Sequence, residues 1–179
     1  MRVRPFTPIA TARLRLRRFR AEDAAALAAY RSDAEVARYQ GWEAGYTRAQ
    51  ADAFVREMAV AEPGEAGGWF QVAIADPATD ALLGDCVVHP HADDPAVVEV
   101  GYTLAPAHQG HGYATEAVAA IVAYAFSTLG AECVRAVTDA RNTASIAVAE
   151  RIGMTRVSSM HTTFKGERCV EYVYELARV

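Results

Sequence analysis

Residues 97–119 read VVEVGYTLAPAHQGHGYATEAVA and join three local patterns. The first eight residues are apolar and rich in valine, which favours a β-strand over a helix, and Pro106 ends the run. Gly110 and Gly112 follow, and apolar residues with helical spacing then continue to Gly130, which is suited to cap a helix. The order strand, glycine loop and helix predicts an anion-binding cradle. Glycines let the backbone approach a ligand closely, and the first N–H groups of a helix have no partner within it.

The spacing of this loop excludes two common phosphate-binding loops. A P-loop ends with lysine and a hydroxyl residue, and the loop contains no lysine; a dinucleotide fingerprint needs glycine or alanine where Thr115 stands. The loop does fit the pattern Gln/Arg-x-x-Gly-x-Gly/Ala, with Gln109, Gly112 and Ala114 in the defined positions. It therefore resembles the pyrophosphate loop of the GNAT N-acetyltransferases. For the loop taken alone, an ordinary strand-to-helix turn is the alternative.

Composition limits the class of protein. A length of 179 residues with 52% hydrophobic and 22% charged residues fits one globular domain, which we expect to span residues 1–179. No apolar run is long enough to cross a membrane, and the first 19 residues lack the apolar core of a signal peptide. A net charge of −4 argues against nucleic-acid binding. We expect a cytoplasmic protein that contacts neither membrane nor nucleic acid.

Cysteine and histidine patterns give no indication of a metal site. Cys86, Cys133 and Cys169 lack metal-like spacing, fit a reducing compartment, and are interpreted as small core residues. His89 and His91 flank a proline and have no obvious third ligand, so a solvated loop is the preferred interpretation of that segment. We therefore predict no bound metal.

Periodicity predicts a mixed α/β chain around one sheet. In the first strand, Leu14, Leu16 and Phe19 are expected to pack inward while the arginines face water. The loop 38–46 is aromatic, and Thr47 with Gln50 forms a capping box that starts a helix. Strands are predicted at 13–19, 69–75, 81–88, 97–105, 133–138, 155–164 and 169–176, and helices at 21–33, from 47, from the glycine loop to 129 and at 142–152.

Four separated blocks extend the resemblance over nearly the whole chain. Besides the glycine loop, these blocks are residues 11–17 (TARLRLR), 99–102 (EVGY) and 142–154 (NTASI running to ERIGM), and they resemble, in the same order, the RimJ/RimL-like branch of the GNAT superfamily, which includes acetyltransferases of ribosomal-protein N-termini. His111 stands where that family often has lysine or arginine. The resemblance implies a GNAT fold of class α+β: a mostly antiparallel sheet of about seven strands, splayed at strands 4 and 5, with about four helices.

The resemblance also implies acetyl-CoA as co-substrate. Backbone groups of Tyr102, Thr103 and Leu104 would pair with the pantetheine arm, and Asn142 would lie beside it. An N-cap role is the alternative for Asn142, and both can hold together. The residues expected to hold the pyrophosphate are Gln109, Gly110, His111, Gly112, Tyr113, Ala114 and Thr115.

Two residues are the first candidates for catalysis. Many superfamily members protonate the leaving thiolate with a tyrosine seven positions after the asparagine, but Ala149 occupies that position. Ser145 stands where the RimJ/RimL-like branch has a serine proposed for this role; a helix-capping role is its alternative. Glu99 is the first candidate for the base, because strand alternation puts it opposite Val98 and Val100, although a solvated strand carboxylate would look the same. Asp85 is a second candidate.

The acceptor is expected to be a primary amine, either a protein N-terminus or a small molecule. Tyr39, Trp42 and Asp85 are the residues expected to border it. A monomer and a homodimer are both compatible with the sequence. The competing hypothesis is a non-catalytic domain that binds acyl-CoA and has lost turnover.

Overall fold

The computed structural model describes residues 5–178, in which eight strands form one sheet. Their bounds are β1 Ile9–Ala10, β2 Arg15–Arg17, β3 Phe70–Ala75, β4 Leu82–Pro90, β5 Val97–Leu104, β6 Cys133–Asp139, β7 Thr155–Phe164 and β8 Glu167–Ala177. The spatial order is β1-β2-β3-β4-β5-β6-β8-β7. Among these strands β5 and β6 run parallel and the other neighbours are antiparallel. The predicted mixed, mostly antiparallel sheet is confirmed, and β1 is the strand that was not predicted.

The helices lie where the apolar periodicity and capping residues predicted them, with one addition. Thr47 caps the third helix, and its hydroxyl accepts from the Gln50 N–H in the predicted capping box. The additional helix, α2, is a single turn after Asp33, whose side chain accepts two of its N–H groups. The bounds are α1 Ala24–Ser32, α2 Ala34–Ala37, α3 Arg48–Val60, α4 Tyr113–Tyr124 and α5 Thr143–Arg151, with α4 continued by a π-helical turn at Ala125–Leu129.

Helices cover both faces of the sheet because alternate strand residues point to opposite sides. One apolar cluster packs α4 and α5 against one face of the sheet at strands β2, β3, β4 and β5, and it includes Ile74, Val98 and Ile121. The second cluster joins α1 and α3 to the other face, where Leu27 and Val55 pack near Ala73. No helix among the described residues is long and apolar enough to span a membrane.

Arg17 departs from the expectation that the arginines of the first strand face water. Its side chain is 3% exposed, and its guanidinium donates to Asp23 at 2.7 Å and to Asp80 at 2.8 Å. A cation is retained at a buried position only when carboxylates compensate its lost hydration. The two aspartates supply that compensation, so the prediction for Arg17 is wrong.

The sheet opens between β5 and β6. The two strands pair only from Val97 to Glu99, opposite Cys133 to Arg135, whereas β5 pairs with β4 as far as Leu104. Beyond Glu99 the β6-facing edge of β5 therefore lacks a partner strand. These are the fourth and fifth predicted strands, which become the fifth and sixth because β1 precedes them.

Candidate active site

Two cavities meet at the gap between β5 and β6. The larger has a volume of about 820 Å³ and extends toward the glycine loop. The smaller, of about 130 Å³, lies between β5, β6 and the β7–β8 hairpin. The residues that line both are Tyr39, Gln40, Tyr102, Asn142, Ser145 and Val148. Two molecules, one bound in each cavity, would therefore meet near Tyr102 and Ser145.

The free edge of β5 presents backbone amides to the larger cavity. The N–H of Ala105 donates toward β4, to Leu83 O at 2.9 Å, so strand alternation turns the N–H groups of Leu104 and Tyr102 toward the gap. The carbonyls on that edge have side-chain donors: Gln109 Nε2 reaches Leu104 O at 3.1 Å, and Gln40 Nε2 lies 3.4 Å from Tyr102 O. An extended amide chain can pair with such an edge as another strand would.

The glycine loop turns the chain sharply into α4. Gly110 and Gly112 have φ angles of 77° and 79°, a region that residues with a Cβ rarely adopt. Gly112 immediately precedes the first helical residue, so the partnerless N–H groups of α4 begin at the wall of the larger cavity. His111 lines neither cavity, but the other six residues predicted to hold a pyrophosphate line the larger one: Gln109, Gly110, Gly112, Tyr113, Ala114 and Thr115.

An ion pair fastens this loop to the start of the sheet. Arg13 Nε donates to Glu116 Oε2 at 2.7 Å, its backbone N–H donates to Oε1 at 2.8 Å, and its Nη1 donates to His111 O at 2.9 Å. Thr11 Oγ1 donates to Glu116 at 2.6 Å. Burial raises the pKa of Glu116, but the hydrogen bonds from Thr11 and Arg13 outweigh it and lower the pKa overall. The first block of the family resemblance thus includes a support for the loop, a role that sequence analysis did not assign.

Asn142 and Ser145 lie together at the first turn of α5. Asn142 Oδ1 accepts the Ser145 N–H at 3.2 Å, so the capping role is present, and both side chains also line both cavities. Burial raises the pKa of Tyr102, and the neighbouring Ser145 hydroxyl acts in the opposite direction. Ala149 is buried.

Glu99 lies on the predicted face of β5, opposite the buried Val98 and Val100, but it lines neither cavity. Its carboxylate is 3.5 Å from His91 Nε2. His89 lies on β4, not in a loop as predicted, and stacks on Trp69 with ring centroids 3.9 Å apart. Among the described residues, no three His, Cys, Asp or Glu side chains are arranged to hold a metal.

Two of the three residues expected to border the acceptor lie behind the cavities instead. Asp85 is 3% exposed and accepts from the Tyr30 hydroxyl, with Arg31 Nη2 3.4 Å away. The Arg31 guanidinium stacks on Trp42 at 4.1 Å, and Trp42 Nε1 donates to Arg31 O at 3.1 Å. Asp85 thus binds Tyr30 and Arg31 of α1, and Arg31 in turn contacts Trp42. Of the three residues only Tyr39 lines the cavities.

The smaller cavity has two carboxylates that sequence analysis missed, Asp139 and Glu171, which face each other across β6 and β8. Arg141 binds both oxygens of Asp139, at 3.0 and 2.8 Å, and this lowers the pKa of Asp139. Within residues 5–178 the Glu171 carboxylate has no hydrogen-bond or ion-pair partner. No local pattern predicts that β6 and β8 pair, so the signal was absent from the sequence.

Comparisons with known proteins agree with this geometry. The family model described as an acetyltransferase (GNAT) domain matches residues 13–155. The Bacillus subtilis (strain 168) protein called "Uncharacterized N-acetyltransferase YoaA" is 31% identical over 151 residues, which is 84% of each chain. An acetyltransferase (GNAT family) structure from Bacillus anthracis superposes with a TM-score of 0.84 at 26% identity, over 96% of this chain and 98% of that one. The structure of RimL, a ribosomal L7/L12 α-N-protein acetyltransferase in complex with coenzyme A, gives a TM-score of 0.80 at 19% identity, covering 96% and 98%.

Proposed function

The chain belongs to the GNAT acetyltransferase family, and we propose that it transfers the acetyl group of acetyl-CoA directly to a primary amine in a ternary complex. The observation that carries this proposal is the junction of the two cavities at Tyr102 and Ser145. Direct transfer needs donor and acceptor to meet at one point, and two cavities that share a wall provide that arrangement. The four sequence blocks support a RimJ/RimL-like enzyme.

Residues of the larger cavity would hold acetyl-CoA. The amide edge of β5 suits the pantetheine arm, and the positive-φ glycines before α4 suit the pyrophosphate. Arg151 also lines this cavity and adds a cation that sequence analysis did not select. The thioester would supply an activated carbonyl with a good leaving group.

Backbone groups of β5 are suited to stabilise the thioester oxygen. The Leu104 N–H points into the gap, has no strand partner there, and belongs to a strand held by β4 along its whole length. A donor fixed in position costs no reorganisation as negative charge develops on an oxygen. We therefore assign this role to the Leu104 amide.

Protonation of the departing CoA thiolate is assigned to Ser145. The serine lines both cavities beside Tyr102, whose hydroxyl can return a proton to it. Because position 149 is a buried alanine, the tyrosine used by many superfamily members is absent there. Asn142 orders the first turn of α5 and so fixes where Ser145 points.

Two carboxylates are candidates to accept the proton of the amine. Glu99 was the first choice on sequence, and from its position outside both cavities it would act through water. Glu171 lines the smaller cavity, and its carboxylate, which has no hydrogen-bond or ion-pair partner among residues 5–178, is suited to bind an ammonium group. Comparing Glu99→Gln with Glu171→Gln decides between them. The variant that lacks the base should have a lower kcat than wild type, and the loss should grow at lower pH, where more of the amine is protonated. The other variant should keep the wild-type pH dependence of kcat.

The acceptor is proposed to be a primary amine such as a peptide N-terminus or a polyamine. Arg141 neutralises Asp139, so Glu171 supplies the negative charge of the smaller cavity, and Tyr39 and Phe164 add aromatic walls. Such a surface favours cations over neutral or acidic molecules. An amine carrying a carboxylate close to the reacting nitrogen is disfavoured for the same reason.

Thiol release across a panel of amines tests the proposal. Purified protein would be mixed with acetyl-CoA and with spermidine, amino acids, or short peptides beginning with serine or alanine. Release that depends on one of these amines supports acetyl transfer. Tight acetyl-CoA binding without release on the whole panel would support the non-catalytic alternative, and absence of acetyl-CoA binding would rule out both.

A further inference from the structure

The turn between β7 and β8 contains a residue that the turn itself does not favour. Phe164 pairs with Glu167, so Lys165 and Gly166 form a two-residue loop. Their φ angles are 50° and 79°, as a type I′ hairpin turn requires. Glycine suits the second position, but the first usually has glycine, asparagine or aspartate. A Cβ crowds the backbone there, and the short polar side chains of asparagine and aspartate compensate by local hydrogen bonds, which lysine cannot make. The lysine therefore needs another explanation.

The lysine side chain bridges to a segment far away in sequence. Its Nζ donates to Ala37 O at 2.8 Å and to Trp42 O, and lies 3.8 Å from Glu43 Oε2. The first two contacts are with residues 128 and 123 positions away. An ammonium group has three N–H donors, and here it binds the two backbone carbonyls that flank residues 38–41. The side chain is 23% exposed, so water does not fully replace these contacts.

The bridged stretch, residues 38–41, forms part of the wall of the active-site cavities. Tyr39 and Gln40 line both cavities, and Phe164, next to the lysine, lines the smaller one. The lysine thus ties the tip of the β7–β8 hairpin to the loop on the opposite side of the smaller cavity. The same loop is also held by Trp42, whose ring packs on the Arg31 guanidinium and whose Nε1 donates to Arg31 O. The glycine loop that faces the larger cavity is held separately, by Arg13 and Glu116.

We propose that Lys165 is a positioning residue that clamps residues 38–43 over the smaller cavity and so sets how tightly the acceptor amine is held. The inference rests on the proposed function in identifying that cavity with the acceptor. It gives a reason for a lysine at a turn position that disfavours it, since asparagine or glycine cannot reach the loop. Residues 38–43 are called the acceptor loop below.

Two variants separate the clamp from the turn. Lys165→Met keeps the aliphatic stem and the strained turn but removes the donors, whereas Lys165→Asn removes the donors and suits the turn better. If the two variants change amide exchange and the KM for the acceptor by the same amounts, the lost ammonium group is the cause. Arg168→Gln removes a positive charge from the same hairpin without touching the acceptor loop, and is the matched control.

Hydrogen exchange and kinetics together test the clamp. In both Lys165 variants we expect the amide of Gln40 in the acceptor loop, which donates to Ala37 O, to exchange about tenfold faster. For spermidine or a serine peptide, whichever is acetylated, KM should rise about tenfold while acetyl-CoA affinity changes less than about twofold. Arg168→Gln should leave both unchanged.

Two outcomes would overturn the proposal. One is wild-type exchange of the acceptor loop in both Lys165 variants. The other is an acetyl-CoA affinity that falls as much as the acceptor affinity, which would indicate a general loosening of the site. If the wild-type protein acetylates no amine on the panel, the proposed function fails, and the exchange measurement alone decides whether the clamp exists.

Discussion

Arg13 and Glu116 lie 103 residues apart in the sequence and are joined by two hydrogen bonds, one from the guanidinium and one from the backbone of Arg13. The pair fastens the first turn of α4 to the chain between β1 and β2. Arg13 also donates to the carbonyl of His111 inside the glycine loop. The cradle is therefore held from outside as well as by its own backbone, and its shape before binding depends on this contact.

Breaking this pair should weaken acetyl-CoA binding. Arg13→Gln and Glu116→Gln each leave the loop free to move, so we expect dissociation constants for acetyl-CoA about five- to tenfold higher by calorimetry. Because Arg13 is half exposed, the coupling in a double-mutant cycle should be modest, about 1 kcal/mol. The exposed pair Arg48–Asp52 on α3 is the control, and its removal should leave the affinity unchanged. Additive effects of the two substitutions would contradict the account.

Gly84 marks a second constraint on the donor side of the site. A methyl group there would lie 2.2 Å from Thr103 O and 2.9 Å from the Leu104 Cα, both backbone atoms of β5. Gly84→Ala must push β4 and β5 apart, at a cost of about 3 kcal/mol in the free energy of unfolding. We also expect acetyl-CoA affinity to fall, since the displaced residues carry the proposed amide contacts. Gly41→Ala, whose new methyl group meets nothing within 4 Å, is the control for the urea denaturation. Wild-type stability of Gly84→Ala would show that the strands can adjust.

Ser145→Ala tests the assigned proton donor. The serine backbone N–H still bonds to Asn142, so the helix should remain capped and acetyl-CoA affinity should stay near the wild-type value. Loss of a general acid typically costs a factor of about 10² or more, and we expect kcat to fall by that order. A kcat within about twofold of wild type, at normal protein stability, would show that the Ser145 hydroxyl does not protonate the thiolate.

The Asp139–Arg141 pair predicts a pH-dependent difference in stability. Arg141 lowers the pKa of Asp139 below its ordinary value of 3.8, so the contribution to stability is present above that pH and is lost as pH falls through the lowered value. Arg141→Gln should therefore be less stable than wild type near neutral pH, and this difference in the free energy of unfolding should narrow as the pH falls below 3.8. Urea denaturation at several pH values measures this, with Arg168→Gln as control. A gap that widens on acidification would contradict the assignment.

The local features of the site could be predicted from sequence because each is encoded over a few residues. The Gln109 to Thr115 pattern, the valine-rich strand before it and the Thr47 capping box depend on neighbours in the chain, and the structure has each where the pattern indicated. The boundaries of β2 were less accurate. The strand was predicted over residues 13–19, where leucine and arginine alternate, but β2 pairs with β3 only from Arg15 to Arg17.

Features that depend on distant contacts could not be predicted. Asp139 and Glu171 meet because β6 pairs with β8, and Arg17 is buried between the nearby Asp23 and Asp80, which lies 63 residues away. Trp42 was expected in the acceptor site, but its ring contacts the buried Arg31 and it lines neither cavity. In each case at least one partner lies more than ten residues away, and strand alternation says nothing about which partner a residue meets.

Transfer of an isotopically labelled acetyl group from acetyl-CoA is the most direct test of the central claim. The label would be followed by mass spectrometry on the amine and on the protein during the first turnovers. Direct transfer predicts label on the primary amine of the acceptor, one CoA released for each acetylated amine, and no label on the protein. Label that appears on a protein side chain before it reaches the acceptor, or CoA released only with free acetate, would contradict the account.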